Sequence, residues 1–149
     1  MIVVFVESWN NQFKKASFEA VSYARSWANA AGCGVRAITS ASVENTNQLA
    51  QYGADEIATL ELAQTGAGIG AQFAGIVGDA QGVVVAGTAM GKIIAPTLAA
   101  LTSGALSTNT TNTPTSTSPV VVERGAFSSK GIETISLSNG MPIISFVPN

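Results

Sequence analysis

Short apolar runs and amphipathic stretches alternate along the first two thirds of the chain. Residues 2–6 are entirely apolar, and residues 82–87 contain only aliphatic side chains and glycine. Such runs are typical of strands that are buried on both faces of a parallel sheet. Two less regular segments, residues 35–39 and 56–60, are also predicted to be strands.

Helical periodicity separates these predicted strands. In residues 13–31 apolar side chains recur at gaps of three and four and polar side chains occupy the other face, which predicts a helix. Shorter helices are predicted for residues 44–52, 70–79 and 92–103. In the last of these, Ile94, Leu98 and Leu101 are expected on one face, and Pro96 is expected in the first turn, where a missing N–H is tolerated.

The pattern changes after Gly104. Residues 107–119 hold six threonines and three serines, a composition typical of a linker or disordered tract. A structured loop leading into an edge strand is the alternative. Three strand-like segments follow without helices, at residues 119–123, 131–137 and 142–147. The first two are expected to pair antiparallel, and Asn139-Gly140 predicts a tight turn before the third.

Four successive strand–helix units specify an α/β domain with right-handed crossovers. We therefore predict one domain over residues 1–149. Its fold is expected to be a three-layer, Rossmann-like αβα sandwich. The sheet is expected to be mostly parallel, with antiparallel strands at the C-terminal end.

Composition narrows the possible functions. The 149 residues carry a net charge of −2, with 11% charged and 46% hydrophobic residues, no histidine and one cysteine, Cys33. Catalysis by a Ser-His-Asp or Cys-His group, histidine metal sites and an internal disulfide are therefore excluded. The chain lacks the cluster of basic residues that would indicate a nucleic-acid partner. No segment resembles a signal peptide or a membrane span, so we expect a cytoplasmic protein without membrane insertion.

Two glycine-rich segments are candidate binding loops. Residues 66–71 fit a dinucleotide fingerprint in form, but they follow the third predicted strand, so a flexible loop is the favoured interpretation. In the second segment Gly87, Thr88, Gly91 and Lys92 join a strand to a helix, a geometry that favours an anion. The favoured alternative is that these glycines only let the helix pack close to the sheet.

Several segments together resemble the N-terminal half of electron transfer flavoprotein α subunits. Residues 4–10 (VFVESWN) and 13–19 (FKKASFE) are similar to the opening of those subunits. Further similar segments, in the same order, are 51–55 (QYGAD), 88–92 (TAMGK), 104–107 (GALS), 124–130 (RGAFSSK) and 147–149 (VPN). The chain departs from the family pattern at Ser8, where histidine is usual. It also departs at Ile93 and Thr97, where aspartate and arginine are common, and at Ser129, where glycine is common.

The resemblance implies a function in electron transport. It implies the fold of adenine-nucleotide hydrolases with a degenerate nucleotide site, in a domain that serves as a scaffold and packs on a β subunit. The resulting heterodimer binds FAD, mostly through a second α-subunit domain for which this sequence has no counterpart. By this resemblance the heterodimer is expected to carry electrons, in a bacterial cytoplasm, from dehydrogenases of the acyl-CoA type, as in fatty acid β-oxidation, to a quinone reductase.

Two interpretations of the function remain. The first is a scaffold domain without an active site, as the lack of histidine and the few carboxylates indicate. The alternative is a separate nucleotide-binding domain resembling universal stress proteins, with phosphate at residues 87–92. A measurement of AMP or ATP binding distinguishes the two interpretations, because only the second expects a nucleotide to bind.

Overall fold

The N-terminal apolar run forms strand β1 (Ile2–Phe5), which pairs on both sides with parallel strands inside a nine-stranded sheet. The computed structural model describes residues 1–149. The elements after β1 are β2 (Ser8–Trp9), β3 (Gln12–Phe13), α1 (Lys15–Ala31), β4 (Val35–Ser40), a 3₁₀ helix (Thr46–Tyr52), β5 (Glu56–Leu60), α2 (Gly66–Ala74), β6 (Gly82–Ala86) and α3 (Gly91–Thr102). Five strands complete the chain: β7 (Ala105–Thr110), β8 (Ser116–Thr117), β9 (Val120–Ala126), β10 (Gly131–Leu137) and β11 (Pro142–Phe146).

The order of the strands confirms the predicted α/β fold. The sheet runs β10-β9-β7-β11-β6-β1-β4-β5, with β8 paired to β9. The strands from β7 to β5 in this order are parallel to their neighbours. The β9–β10 pair is antiparallel, as predicted, and so is the contact of β7 with β9. The result is a mostly parallel sheet with an antiparallel end.

Alternation of side chains along β1 produces the three layers. Ile2 and Val4 belong to the core on the α1 side, whereas Val3 and Phe5 belong to the core beneath α2 and α3. All four are buried. A strand in this position needs apolar side chains on both faces, which is why the run has no polar residue. No helix in the structure has the length and apolar character needed to cross a bilayer.

Helix α1 was predicted to begin at residue 13, but it begins at Lys15. Residues 8–9 and 12–13 pair instead as a small antiparallel ribbon of β2 and β3 ahead of the helix. Asn10 and Asn11 connect its strands with φ angles of 48° and 60°. Asparagine tolerates this left-handed conformation better than most residues, so the two asparagines allow the turn that takes Phe13 into β3.

The favoured interpretation of residues 66–71 as a flexible loop was wrong. Helix α2 begins at Gly66, where the hydroxyl of Thr65 accepts a hydrogen bond from the N–H of Gly68 at 3.1 Å. It ends at Ala74, earlier than predicted. A threonine cap satisfies one of the free N–H groups at a helix start and compensates in part for the poor helix propensity of glycine.

Helix α3 differs from its prediction in two details. It begins at Gly91, so Pro96 lies in the second turn and not in the first. Its buried arc comprises Gly91, Ile94, Ala95 and Leu98. Leu101, predicted on the same face as Ile94 and Leu98, falls outside this arc and is 58% exposed.

The prediction of a linker at residues 107–119 was also wrong, because the tract contains parts of β7 and all of β8. The alternative was right that the tract is structured, but β9, the strand that it leads into, pairs with β10 and β7 and is not an edge strand. Strand β7 itself lies between β9 and β11. Ser107 and Thr110 are fully buried there, and their hydroxyls hydrogen-bond to each other at 2.9 Å. Paired hydroxyls allow a polar sequence to occupy an interior strand.

The last strand, β11, does not join the antiparallel end of the sheet. It inserts between β6 and β7 and is parallel to both. The turn at Asn139-Gly140, with φ of 125° at Gly140, therefore leads into a parallel strand and forms no hairpin. Its burial explains why Ile143, Ile144 and Phe146 are apolar, a pattern that resembles that of an inner strand more than that of an edge strand.

Candidate functional site

A crevice opens at the carboxyl ends of β1 and β6. After β1 the chain forms β4 and β5 on one side of this pair. After β6 it forms its remaining strands on the other side, where β11 and β7 lie. Open α/β sheets commonly bind ligands at such a switch point. The cavity has a volume of about 250 Å³, and its lining residues are Glu7, Ser8, Trp9, Lys14, Ala16, Ser17, Thr88 and Ala89.

The structure places the four candidate anion-binding residues on the loop between β6 and α3, beside this crevice. Gly87 donates its N–H to the carbonyl oxygen of Phe146 at 2.8 Å, and a Cβ at Gly87 would lie 2.8 Å from that oxygen. A Cβ at Gly91 would collide with the carbonyl oxygen of Ala86. Packing against the strands therefore explains both glycines without a ligand.

The other two candidates differ in environment. Thr88 is partly buried at the crevice, whereas Lys92 is exposed on the first turn of α3. The structure gives the Lys92 ammonium no ion-pair partner. Gly87, Thr88, Gly91 and Lys92 stay candidate anion-binding residues, with close packing of the helix on the sheet as the favoured alternative.

A short chain of hydrogen bonds links the loop to the end of β1. The Thr88 hydroxyl donates to Oε2 of Glu7 at 2.6 Å and accepts from the N–H of Gly91 at 3.1 Å. A carboxylate thus lies in the crevice, next to the start of α3. The free N–H groups and the dipole at the start of a helix would otherwise favour an external anion at this position.

The main chain of Glu7 is fixed to helix α1. Its carbonyl oxygen accepts a hydrogen bond from Oγ of Ser17 at 2.5 Å, and the same Oγ accepts from the N–H of Lys14 at 3.3 Å. Ser17 is buried. Glu7 is a site residue that the sequence motifs did not reveal. The available signal was a charged residue directly after a wholly apolar strand, at the end of the sheet where functional side chains commonly lie.

Trp9 lies at the mouth of the crevice. It is 64% exposed, and the Lys14 ammonium lies 5.2 Å from the centre of its ring. This distance is typical of a cation–π contact. Trp9 of the ribbon and Lys14, at the start of α1, therefore place one aromatic ring and one cation in the crevice that holds the Glu7 carboxylate.

The glycines of α2 do not form a cradle for a dinucleotide. A Cβ at Gly66 would lie 2.8 Å from Cβ of Ile93, and one at Gly70 would lie 2.8 Å from Cβ of Thr97. These are the two positions where the resembled family commonly has aspartate and arginine. Because α3 covers this face of α2, the glycine-rich segment does not fit the pyrophosphate of FAD.

Four larger cavities lie elsewhere, and two of them have the greatest volumes. One, of about 470 Å³, is lined mainly by uncharged polar side chains between the β2–β3 ribbon and the 3₁₀ helix. The other, of about 510 Å³, follows α1 beside the C-terminal residues. Neither contains a group of three side chains that could hold a metal ion.

Comparison with known proteins identifies the family. The family model of the electron transfer flavoprotein domain matches residues 2–149, which is nearly the entire sequence. A search of curated proteins gave no match. The parallel sheet and its switch-point crevice agree with the fold that the resemblance implied. The chain therefore belongs to the electron transfer flavoprotein domain family.

Proposed function

We propose that residues 1–149 are the N-terminal domain of an electron transfer flavoprotein α subunit and serve as a partner-binding scaffold without an active site. The match of the family model from residue 2 to residue 149 is the observation that carries this proposal. The order of the motifs, from residues 4–10 to residues 147–149, favours the α subunit.

In this proposal the domain packs on a β subunit in a heterodimer that contains FAD. FAD supplies one- and two-electron redox chemistry when bound, and most of its ligands lie outside residues 1–149. The covered glycines of α2 support this assignment. The assembly would take electrons from dehydrogenases of the acyl-CoA type and pass them to a quinone reductase.

The surface is suited to protein partners. Helices α2 and α3 together contain one charged residue, Lys92. Leu101 lies exposed on α3, and Ile132 is 73% exposed on the β9–β10 hairpin. Low charge and exposed large apolar side chains are typical of the core of protein interfaces.

Association with the β subunit tests this proposal. The tagged chain is co-expressed with the β subunit of the same source, and the stoichiometry is measured by size-exclusion chromatography with light scattering. We expect a 1:1 complex, and we expect the chain purified alone to be colourless.

Leu101→Glu and Ile132→Glu determine which of the two apolar surfaces docks, because a buried charge weakens an interface. A β subunit that elutes separately from the wild-type chain would contradict the proposal.

A further inference from the structure

We infer that Glu7 excludes anionic ligands from the switch-point crevice, so that the loop between β6 and α3 binds neither inorganic phosphate nor a nucleotide. This inference extends the proposed function, since it names the residue that keeps the scaffold free of such ligands. It rests on the position of the Glu7 carboxylate in the crevice, on its hydrogen bond from Thr88 and on the contact that holds the Glu7 main chain to α1.

The hydroxyl of Thr88 already has both of its partners within the chain. It has one proton, which it donates to Oε2 of Glu7 at 2.6 Å. The N–H of Gly91, at the start of α3, donates to the same hydroxyl. A phosphate oxygen could accept from Thr88 only if the Glu7 carboxylate gave up its place.

Other N–H donors of the loop remain free. The N–H groups of Ala89 and Met90 make no hydrogen bond within the chain. The crevice of about 250 Å³ also offers the volume of several water molecules, enough for a phosphate group. Donors and space are therefore present, and it is the carboxylate that opposes an anion.

Helix α1 anchors Glu7 in this position. The Glu7 carbonyl oxygen accepts from Ser17, whose side chain is buried in the first turn of α1. The main chain therefore cannot carry the carboxylate away from the loop without breaking this contact. Lys14, the cation that lines the crevice, lies over the ring of Trp9.

Removal of the charge is the direct test. Glu7→Gln keeps the length of the side chain and an oxygen that accepts from Thr88, but it removes the repulsion of a phosphate. We expect AMP and inorganic phosphate each to bind this variant at least about tenfold more tightly than the wild-type chain, from the repulsion between charges a few ångströms apart. Glu61→Gln, which removes an exposed carboxylate at the end of β5, is the matched control and should leave affinity unchanged.

Two readouts make the test specific. Calorimetry measures affinity, and tryptophan fluorescence reports the location, because Trp9 lines the crevice whereas Trp27 is buried in the core. Circular dichroism verifies the fold of each variant. If Glu7→Gln does not fold, Glu7→Ser replaces it, with the same gain expected.

The result that overturns the inference is a folded position-7 variant that binds AMP and phosphate no more tightly than the wild-type chain. Micromolar binding of AMP by the wild-type chain would overturn it too and would favour the stress-protein alternative. Failure of the chain to associate with a β subunit bears on the proposed function alone, so the two ideas are tested separately.

Discussion

The Tyr23 hydroxyl joins two distant parts of the chain. It donates to the carbonyl oxygen of Asn112 at 2.7 Å, and its ring stacks on Phe146 with 5.0 Å between centroids. Asn112 belongs to the Thr-rich tract that composition alone would leave disordered. A single hydrogen bond of this kind therefore helps to explain why the tract is ordered, since it satisfies a carbonyl group and fixes the segment against α1.

We expect Tyr23 to make the fold sensitive to alkaline pH. Burial raises the pKa of Tyr23 above its ordinary value of 10.0. The folded state therefore holds the phenol proton while the unfolded state releases it, so stability is complete below about pH 10 and falls as the pH rises further. Thermal melts across this range measure the effect. Tyr23→Phe should lose about 1 kcal/mol through the missing hydrogen bond, and it should weaken the alkaline dependence.

Tyr52→Phe is the matched control, because Tyr52 is partly exposed and its hydroxyl makes no hydrogen bond in the structure. This control should leave stability at neutral pH within about 0.5 kcal/mol. An alkaline transition in Tyr23→Phe as steep as that of the wild-type chain would contradict the explanation.

The candidate site was predictable only in part at the level of residues. Glycines and a lysine at a strand–helix junction indicated the loop at residues 87–92. The close packing that accounts for Gly87 and Gly91 was also foreseen as an alternative. The contact of Glu7 with Thr88 was not predictable, because it joins residues 81 positions apart in the sequence and depends on the pairing of β1 with β6.

Packing of α2 against α3 is the decisive contact at the level of elements. Gly66 lies under Ile93, and Gly70 lies under Thr97. The sequence suggested a flexible loop at this segment, and glycine has poor helix propensity. Tertiary packing overrides that preference, since the missing side chains let the two helices approach closely.

We expect Gly70→Ala to destabilise the protein. The new Cβ would lie 2.8 Å from Cβ of Thr97 and 3.2 Å from the carbonyl oxygen of Ile94. Overpacking of this kind costs about 1–3 kcal/mol and exceeds the gain in helix propensity. Urea denaturation provides the measurement. Gly75→Ala is the control, because its Cβ would meet only Gln72 at 3.5 Å, and it should be neutral or slightly stabilising.

A compensating substitution sharpens the test. After Cβ of Thr97, its Cγ2 is the atom that would lie nearest to the new Cβ at position 70. Thr97→Ala removes Cγ2, so it should recover part of the stability that Gly70→Ala loses. Equal stability of Gly70→Ala and Gly75→Ala would show that the approach of the two helices does not require glycine at position 70.

The C-terminal strands reveal the limit of local pattern for whole elements. The β9–β10 hairpin was predictable, because its strands are close in sequence. The parallel insertion of β11 was not, because it depends on contacts with β6 and β7, whose sequences lie far upstream. The burial of β7 was hidden for another reason, since its hydroxyls satisfy each other inside the sheet.

At the level of the whole molecule, the periodicity of the first two thirds was sufficient to predict the layers. Each apolar run became a parallel strand, and each amphipathic stretch became a helix or a 3₁₀ helix. Periodicity does not reveal the charge of the surface, whereas composition predicts that the surface carries few charges. Charged residues make up 11% of the chain, compared with about 25% in typical soluble domains. The two observations together describe a regular fold with a surface suited to contacts with other proteins.

Self-association of the chain without its partner is the consequence that we predict for the whole molecule. The hairpin ends the sheet with β10, which has no neighbour on one side, and Phe127 and Ile132 are 85% and 73% exposed there. An exposed edge strand with apolar side chains favours pairing with a further chain. Sedimentation velocity at increasing concentration should therefore reveal reversible dimers or larger species.

Charge on the hairpin should suppress this association. Ile132→Glu removes an apolar side chain and adds a negative charge to the edge strand, where like charges on two copies would repel each other. Asn47→Glu adds the same charge on the exposed 3₁₀ helix and should leave association unchanged. If Ile132→Glu associates as strongly as Asn47→Glu, the contact lies elsewhere, and the exposed side chains of α3 become the next surface to test. A wild-type chain that stays strictly monomeric at high concentration would contradict the prediction, because the exposed edge would then be protected without a partner.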